Sequence, residues 1–260
     1  MREKGLITIA IGKKYACQAK YLAYSCMLNS PHTLRSVITD QPEFLTAFYD
    51  IIIPFDRECK DIFSLKTRLH LYTPIEKTLY LDADSLVFNN VDSFWEILQG
   101  RSFVYEGAML EQGDWYVNIA ETIKQLNLPW LPKFNSGMFL FTKTEKSSDI
   151  FDSAYYYFVN HKKENIYMPF FRENMYPDEP FLAIALAKNN ILPVDDYGRF
   201  SRTLIRARKI HVNIIKRLSR MFKNGKMINP LVVHFCGKKG GLYYLREKLR
   251  LFFYFFPSSF

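Results

Sequence analysis

The chain has 260 residues, of which 48% are hydrophobic, 17% aromatic and 23% charged. That apolar content can offset the entropy of ordering, which excludes a disordered chain, and the length suits one large α/β core or two small ones. The net charge of +9 has a single source: residues 199–226 hold ten Lys or Arg and no acid, leaving 25 basic against 26 acidic residues elsewhere.

Leu6–Ile11 (LITIAI) is a continuous β-favouring run, as in a strand buried on both faces of a parallel sheet. Tyr15–Leu28 has helical composition and is closed by Asn29, Ser30 and Pro31. Asp50–Pro54 (DIIIP) reads as another buried strand, and Ile62–Tyr72 as a helix with Leu65, Leu69 and Tyr72 at helical spacing, ended by Pro74. Thr78–Leu81 (TLYL) is a third strand, followed by a helix over Val91–Leu98 that Asp92 or Ser93 helps to start. Further strands are predicted at Gly137–Phe141 and Leu231–Phe235, and a helix at Asp178–Ala187. Alternation of strand and helix predicts an α/β fold with an open, mostly parallel sheet and crossover helices. Without repeats or a flexible linker, residues 1–240 read as one domain that contains the basic segment, with 241–260 as a basic, aromatic tail.

The four cysteines, Cys17, Cys26, Cys59 and Cys236, lack CxxC or zinc-type spacing and read as reduced thiols. The apolar run near the N-terminus is too short for a signal peptide, and no uninterrupted apolar stretch would span a bilayer. A cytoplasmic protein is therefore expected. Over residues 212–223 (VNIIKRLSRMFK), Val212, Ile215, Leu218 and Phe222 fall near one helical face, with Lys216, Arg217, Arg220 and Lys223 largely opposite. Arg246, Lys248 and Arg250 then precede Leu251–Phe256 (LFFYFF). A basic helix plus an aromatic tail is the pattern of a protein lying peripherally on an anionic membrane surface; the alternative is an apolar face in the core with solvated charges.

The chemistry centres on Leu81–Asp82–Ala83–Asp84. In extended backbone, alternate side chains share a face, so Asp82 and Asp84 converge while Ala83 turns away. The carboxyl ends of strands in open α/β sheets are where ligands bind, and paired carboxylates beside substrate phosphates suit a hard divalent cation. The same triplet also serves as a simple turn former. His234, within Val232–Lys239 (VVHFCGKK), is a core histidine or a third ligand; the glycine and lysines that follow it suit a phosphate. A mixed oxygen and nitrogen set favours Mn²⁺, with Mg²⁺ as the alternative cation.

Several separated motifs, in order, resemble glycosyltransferase family 8, the group that includes glycogenin and bacterial lipopolysaccharide galactosyl- and glucosyltransferases. They are Ile7–Tyr15 (ITIAIGKKY), Thr67–Tyr72 (TRLHLY), Tyr80–Val87 (YLDADSLV), Phe134–Phe141 (FNSGMFLF), Asp178–Glu179–Pro180 and Val232–Lys238 (VVHFCGK). The resemblance covers residues 6–240. It implies a GT-A type, Rossmann-like mixed sheet flanked by helices, and a metal-dependent, retaining transferase using a nucleotide-sugar donor. Carried over, it makes Asp82, Asp84 and His234 the metal ligands. Ile9, Ile11 and Tyr15 would form the nucleobase pocket, the Ala83 backbone would meet the ribose, and Arg68 would be a basic donor contact. Asn135, Ser136, Asp178 and Glu179 would surround the transferred sugar, with Asp178 as the candidate catalytic carboxylate, and Gly237 and Lys238 would lie at the diphosphate. The acceptor would be a saccharide, free or lipid-linked. Three departures stand out: Gly12 replaces a small polar residue, Glu179 the usual Gln, and Gly240 the lysine of a Gly-x-x-Lys-Pro-Trp ending.

A basic stripe also fits nucleic acid. The chain has no recognisable binding motif, however, and a carboxylate pair in the cleft repels phosphate unless a metal is present, so no nucleic-acid partner is expected. A sugar nucleotidyltransferase would carry a Gly-rich loop after the first strand, where Gly12 stands alone.

Overall fold

The computed structural model describes residues 2–55, 62–168 and 176–257. Its centre is a six-stranded sheet built from β1 (Arg2–Ala10), β2 (Leu34–Thr39), β3 (Ile51–Pro54), β4 (Ile75–Leu81), β6 (Phe103–Val104) and β9 (Met138–Thr142), in the order β3-β2-β1-β4-β9-β6. The first four strands are mutually parallel, and β9 runs antiparallel to β4 and β6. The expected mixed, mostly parallel sheet is therefore present.

Period-two alternation explains how the sheet feeds two apolar layers. From β1 and β9, Ile7, Phe139 and Phe141 join a cluster with Phe151 and Phe181 on one side. Leu6, Ala10 and Leu140 join Leu22, Ala23 and Phe94 on the other. The first layer is supplied by α6 (Glu145–Asn160) and α7 (Glu179–Lys188), the second by α1 (Lys13–Asn29) and α4 (Ser93–Leu98). α1 and α7 were legible in the sequence; α6, opened by a Thr144–Ser147 capping box, and β2 were not singled out there. The predicted helix at Ile62–Tyr72 is a 3₁₀ segment (Ile62–Arg68) that runs into α3 (Leu69–Tyr72). Short elements complete this region: α2 (Pro42–Leu45), the β7 (Gly107–Leu110) and β8 (Leu131–Phe134) ribbon, and α5 (Ile119–Leu126).

The basic segment departs from its helical reading. β11 (Arg208–Asn213), β12 (Leu218–Lys223) and β13 (Lys226–Ile228) form an antiparallel sheet. Val212, Ser219 and Met221 face inward while His211, Leu218 and Arg220 face out, a two-residue period that the same residues satisfy as well as a helical one. Asn224 and Gly225, with φ of 51° and 78°, close β12 onto β13 in a two-residue turn. An Asn-Gly pair between apolar positions is a strong hairpin signal.

Residues beyond 240 continue a helix, α8 (Gly237–Phe255), so the boundary drawn at 240 falls inside an element. Glu247, fully buried, accepts the Ile214 N–H at 2.8 Å and pairs with Arg246 and Arg250, pinning α8 to the β11–β12 connection. Leu251, Phe252 and Phe255 pack in a cluster with Tyr21 and Tyr24 of α1, and Phe255 stacks on Tyr24 at 4.6 Å. Among the described residues no helix is long and apolar enough to cross a membrane. Cys17, Cys26 and Cys236 are free thiols, and Cys59 lies outside the described residues.

Candidate functional site

β4 ends at Leu81, and the chain turns at once: Ser85 N–H donates to the Asp82 carbonyl at 2.9 Å before β5 (Ser85–Val87) begins. The two acids therefore converge across a tight turn and not along a pleat. β14 (Val232–His234) pairs antiparallel with β5, setting His234 opposite Ser85, and Phe235 N–H donates to the Asp84 carbonyl at 3.1 Å. β10 (Arg202–Thr203) flanks β14 on its other side. This small three-stranded sheet carries the imidazole to the acids. His234 Nε2 lies 3.0 Å from Asp84 Oδ1 and 3.6 Å from Asp82 Oδ2. One ligand atom from each of the three residues falls within 4.8 Å of the others, close enough to share one cation.

Asp82, Ala83, Asp84 and His234 line a cleft of about 380 Å³ together with Ile9, Ile11, Tyr15, Lys66, Tyr80 and Asp178. Ile9 comes from the end of β1, Ile11 from just beyond it, and Tyr15 (49% exposed) from the first turn of α1. Gly12 makes the turn between them at φ 88°, its N–H held by Asp40 Oδ1 at 2.8 Å. At the back of the cleft, Lys66 Nζ lies 3.1 Å from both Asp82 Oδ1 and Asp178 Oδ2 and donates to Ser136 Oγ at 3.2 Å. Tyr80 OH donates to Asp82 Oδ1 at 2.7 Å.

These contacts set the charges. Burial opposes the ionised form of Asp82, but Lys66, His234 and the Tyr80 hydrogen bond outweigh it and hold the carboxyl below its usual range. Burial opposes the Lys66 cation too, yet Asp178 and Asp82 keep it charged well above the ordinary lysine value. For His234, burial works against the imidazolium, and the Asp84 hydrogen bond and charge more than compensate, raising its pKa. Glu179 is raised by burial and next by the Asp178 charge.

The residues expected around a sugar are also joined. Asn135, Ser136 and Gly137 form the bend between β8 and β9, and Glu179 opens α7 beside it. Glu179 Oε1 accepts from Asn135 Nδ2 (3.2 Å) and from Ser136 N–H (3.0 Å), and Tyr116 also hydrogen-bonds this carboxyl. Gly237 (φ 77°) and Lys238 begin α8, both exposed, whereas Lys239 is committed to the Ala207 carbonyl at 2.7 Å.

Arg68 is placed elsewhere: its guanidinium stacks over Tyr155 of α6 at 4.8 Å, outside the lining of the cleft. Lys66 supplies the cation there instead. Residues two apart lie about 120° apart around a 3₁₀ helix, so Lys66 and Arg68 point in different directions and Lys66 is the one that faces the acids. The family resemblance pointed to Arg68 within Thr67–Tyr72; Lys66 lies one residue outside that motif. Tyr80 and Tyr116 were likewise not identified; a tyrosine directly before the Leu-Asp of the triplet was the available signal.

The mixed sheet, with an acid–acid–imidazole cluster beyond the carboxyl ends of its parallel strands, has the architecture of a GT-A type fold. Among solved structures the chain is similar to the galactosyltransferase LgtC in complex with donor and acceptor sugar analogues: 16% identity, TM-score 0.64, covering 95% of this chain and 94% of that one. It is also similar to an active-site mutant of LgtC, at 17% identity and TM-score 0.60, with 90% and 88% covered. The glycosyltransferase GlyE of Streptococcus pneumoniae TIGR4 matches at 14% identity and TM-score 0.51, with 75% and 46% covered. No curated protein matches the sequence. The model of glycosyl transferase family 8 matches residues 65–239, and the chain belongs to that family.

Proposed function

We propose that this transferase moves a hexose from a nucleotide-diphosphate sugar, a UDP-sugar first among them, to a saccharide or lipid-linked saccharide with retention of anomeric configuration. Mn²⁺, or Mg²⁺, would be held by Asp82, Asp84 and His234. The observation that carries the reading is the gathering of these three ligand atoms within 4.8 Å at the edge of a cleft. The donor set fits: two carboxylates and one imidazole suit a cation that tolerates oxygen and nitrogen. A cation there supplies neutralisation of the departing diphosphate.

The remaining roles belong to this chain's own side chains. Ile9, Ile11 and Tyr15 offer an apolar slot with a stacking ring for a base, and the Ala83 backbone, in the lining of the same cleft, would meet the ribose. Lys66 is a preorganised positive charge on the reaction side of the cleft, where it can stabilise charge as it develops. Asp178, 3.1 Å from Lys66 in the lining of the cleft, would be the carboxylate that steadies positive charge at the anomeric carbon. Asn135, Ser136 and Glu179 do not line the cleft but adjoin it, Ser136 through Lys66 and Asn135 through His234, and would supply polar groups to sugar hydroxyls, while the exposed start of α8 at Gly237 and Lys238 is suited to phosphate. The LgtC complex with donor and acceptor sugar analogues supports assigning both a nucleotide sugar and a saccharide to this cleft.

The second partner is an anionic membrane surface. Leu242 (76% exposed), Leu245 and Leu249 form an outward apolar stripe on α8, and the outer face of the β11–β13 sheet adds the exposed Arg208, Lys209 and Arg220. Replacing the three leucines by serine is expected to abolish flotation with phosphatidylserine vesicles; equal flotation removes the membrane from the account. The enzymatic reading is tested by a thermal-shift panel of nucleotide sugars with and without Mn²⁺, followed by donor hydrolysis and transfer assays. Metal-dependent stabilisation by one donor is expected. Stabilisation by none, with no turnover, refutes it.

A further inference from the structure

The orientation of Asn135 is fixed from both ends. Its Nδ2 donates to Glu179 Oε1 at 3.2 Å, and its Oδ1 accepts the Gly137 N–H at 3.1 Å. The atom 3.0 Å from His234 Nδ1 is therefore an acceptor oxygen, so Nδ1 must carry the hydrogen. With Nδ1 protonated, Nε2 is the nitrogen left to face Asp82 and Asp84. Gly137 makes the arrangement possible, because a side chain there would begin only 2.6 Å from His234 Nδ1 and 2.7 Å from Asn135 Oδ1. Gly137 O also accepts the Asp82 N–H at 3.0 Å, so one bend touches both sides of the cluster.

We infer that Glu179 and Asn135 are positioning residues for the metal ligand His234, a hydrogen-bonded relay Glu179–Asn135–His234 that fixes the imidazole tautomer and ring plane and holds Nε2 toward the acid pair. Glu179 acts as a pure acceptor: one oxygen takes both Asn135 and Ser136, locking the amide before any ligand arrives. A glutamine at 179 keeps an acceptor oxygen for the same two donors, whereas alanine removes the Nδ2 anchor and leaves Asn135 held only by the Gly137 N–H. This role is additional to any contact the two residues make with a sugar. It rests on the metal reading above, and its effect on the ring exists without metal.

The test uses the full-length protein, labelled with ¹⁵N-histidine, and the variants Glu179→Gln, Glu179→Ala and Asn135→Ala, with Mn²⁺ binding measured by calorimetry. Thermal melting checks folding, and Asn135, at an exposed bend, serves if Glu179→Ala fails to fold. Metal-free wild type and Glu179→Gln are expected to show a His234 Nδ1–H protected from solvent exchange, lost in both alanine variants. Loss of an outer hydrogen-bond partner is expected to weaken Mn²⁺ binding about 10-fold or more, and the glutamine variant to stay within about twofold of wild type. Folded alanine variants that keep the protected proton and wild-type Mn²⁺ affinity overturn the relay. A wild type that binds no Mn²⁺ but loses the proton in the alanine variants overturns the metal reading and leaves the relay standing.

Discussion

Gly137→Ala is the sharpest single perturbation of this site. Gly137 is buried with an ordinary backbone conformation, so the substitution acts through space and not through strain. The new methyl would lie 2.6 Å from Nδ1 and 2.7 Å from Cε1 of His234, where ordinary contact begins at 3.4 Å. The ring must retreat by the difference, about 0.8 Å, several times the roughly 0.2 Å tolerance of a metal–ligand distance. Its 3.0 Å hydrogen bond to Asn135 cannot survive that shift. Overpacking of this kind costs about 1–3 kcal/mol, which for a chain of this size lowers Tm by about 2–12 °C. Mn²⁺ affinity is expected to fall about 10- to 100-fold, as for a lost outer-sphere partner. Calorimetry and differential scanning fluorimetry read the two effects separately. Gly241→Ala is the control, since no atom within 4 Å meets its new methyl. A Gly137→Ala protein with wild-type Tm and wild-type Mn²⁺ affinity would refute the packing argument outright.

Other expectations follow from the same contacts. Asp82→Asn or Asp84→Asn should lower transfer by about 10²-fold or more and remove its Mn²⁺ dependence, read as kcat/KM at varied metal. Lys66→Met removes the cation shared by Asp82 and Asp178 and should cost about 10²-fold in kcat, whereas Arg68→Met should leave kcat nearly unchanged. Glu247→Ala strands the buried Ile214 N–H and two arginines; a loss of about 2–4 kcal/mol in urea unfolding would establish α8 as part of the fold, and no loss would make it a dispensable tail. Gly225→Ala, at φ 78° in the β12–β13 turn, should cost about 1–2 kcal/mol by chemical denaturation; a helix over this segment would instead be stabilised.

The sequence alone determined the features that depend on neighbours along the chain. Apolar runs such as LITIAI and TLYL became β1 and β4 because a strand buried on both faces needs no polar alternation. The Asp82–Ala83–Asp84 triplet was legible since its two acids are brought together by three consecutive residues, whether by pleat or by turn. Tertiary structure decided whatever depends on which of two equivalent local choices finds a partner. Lys66 and Arg68 point in different directions from one 3₁₀ segment, and tertiary packing set Arg68 over Tyr155 of α6 and Lys66 between the acids of the cleft. Residues 212–223 satisfy helical and strand periods alike; the Asn224–Gly225 turn and the inward packing of Val212 and Met221 selected strands. The union of His234 with acids 150 positions earlier came from β14 pairing with β5, a contact between distant segments whose closure no local pattern encodes.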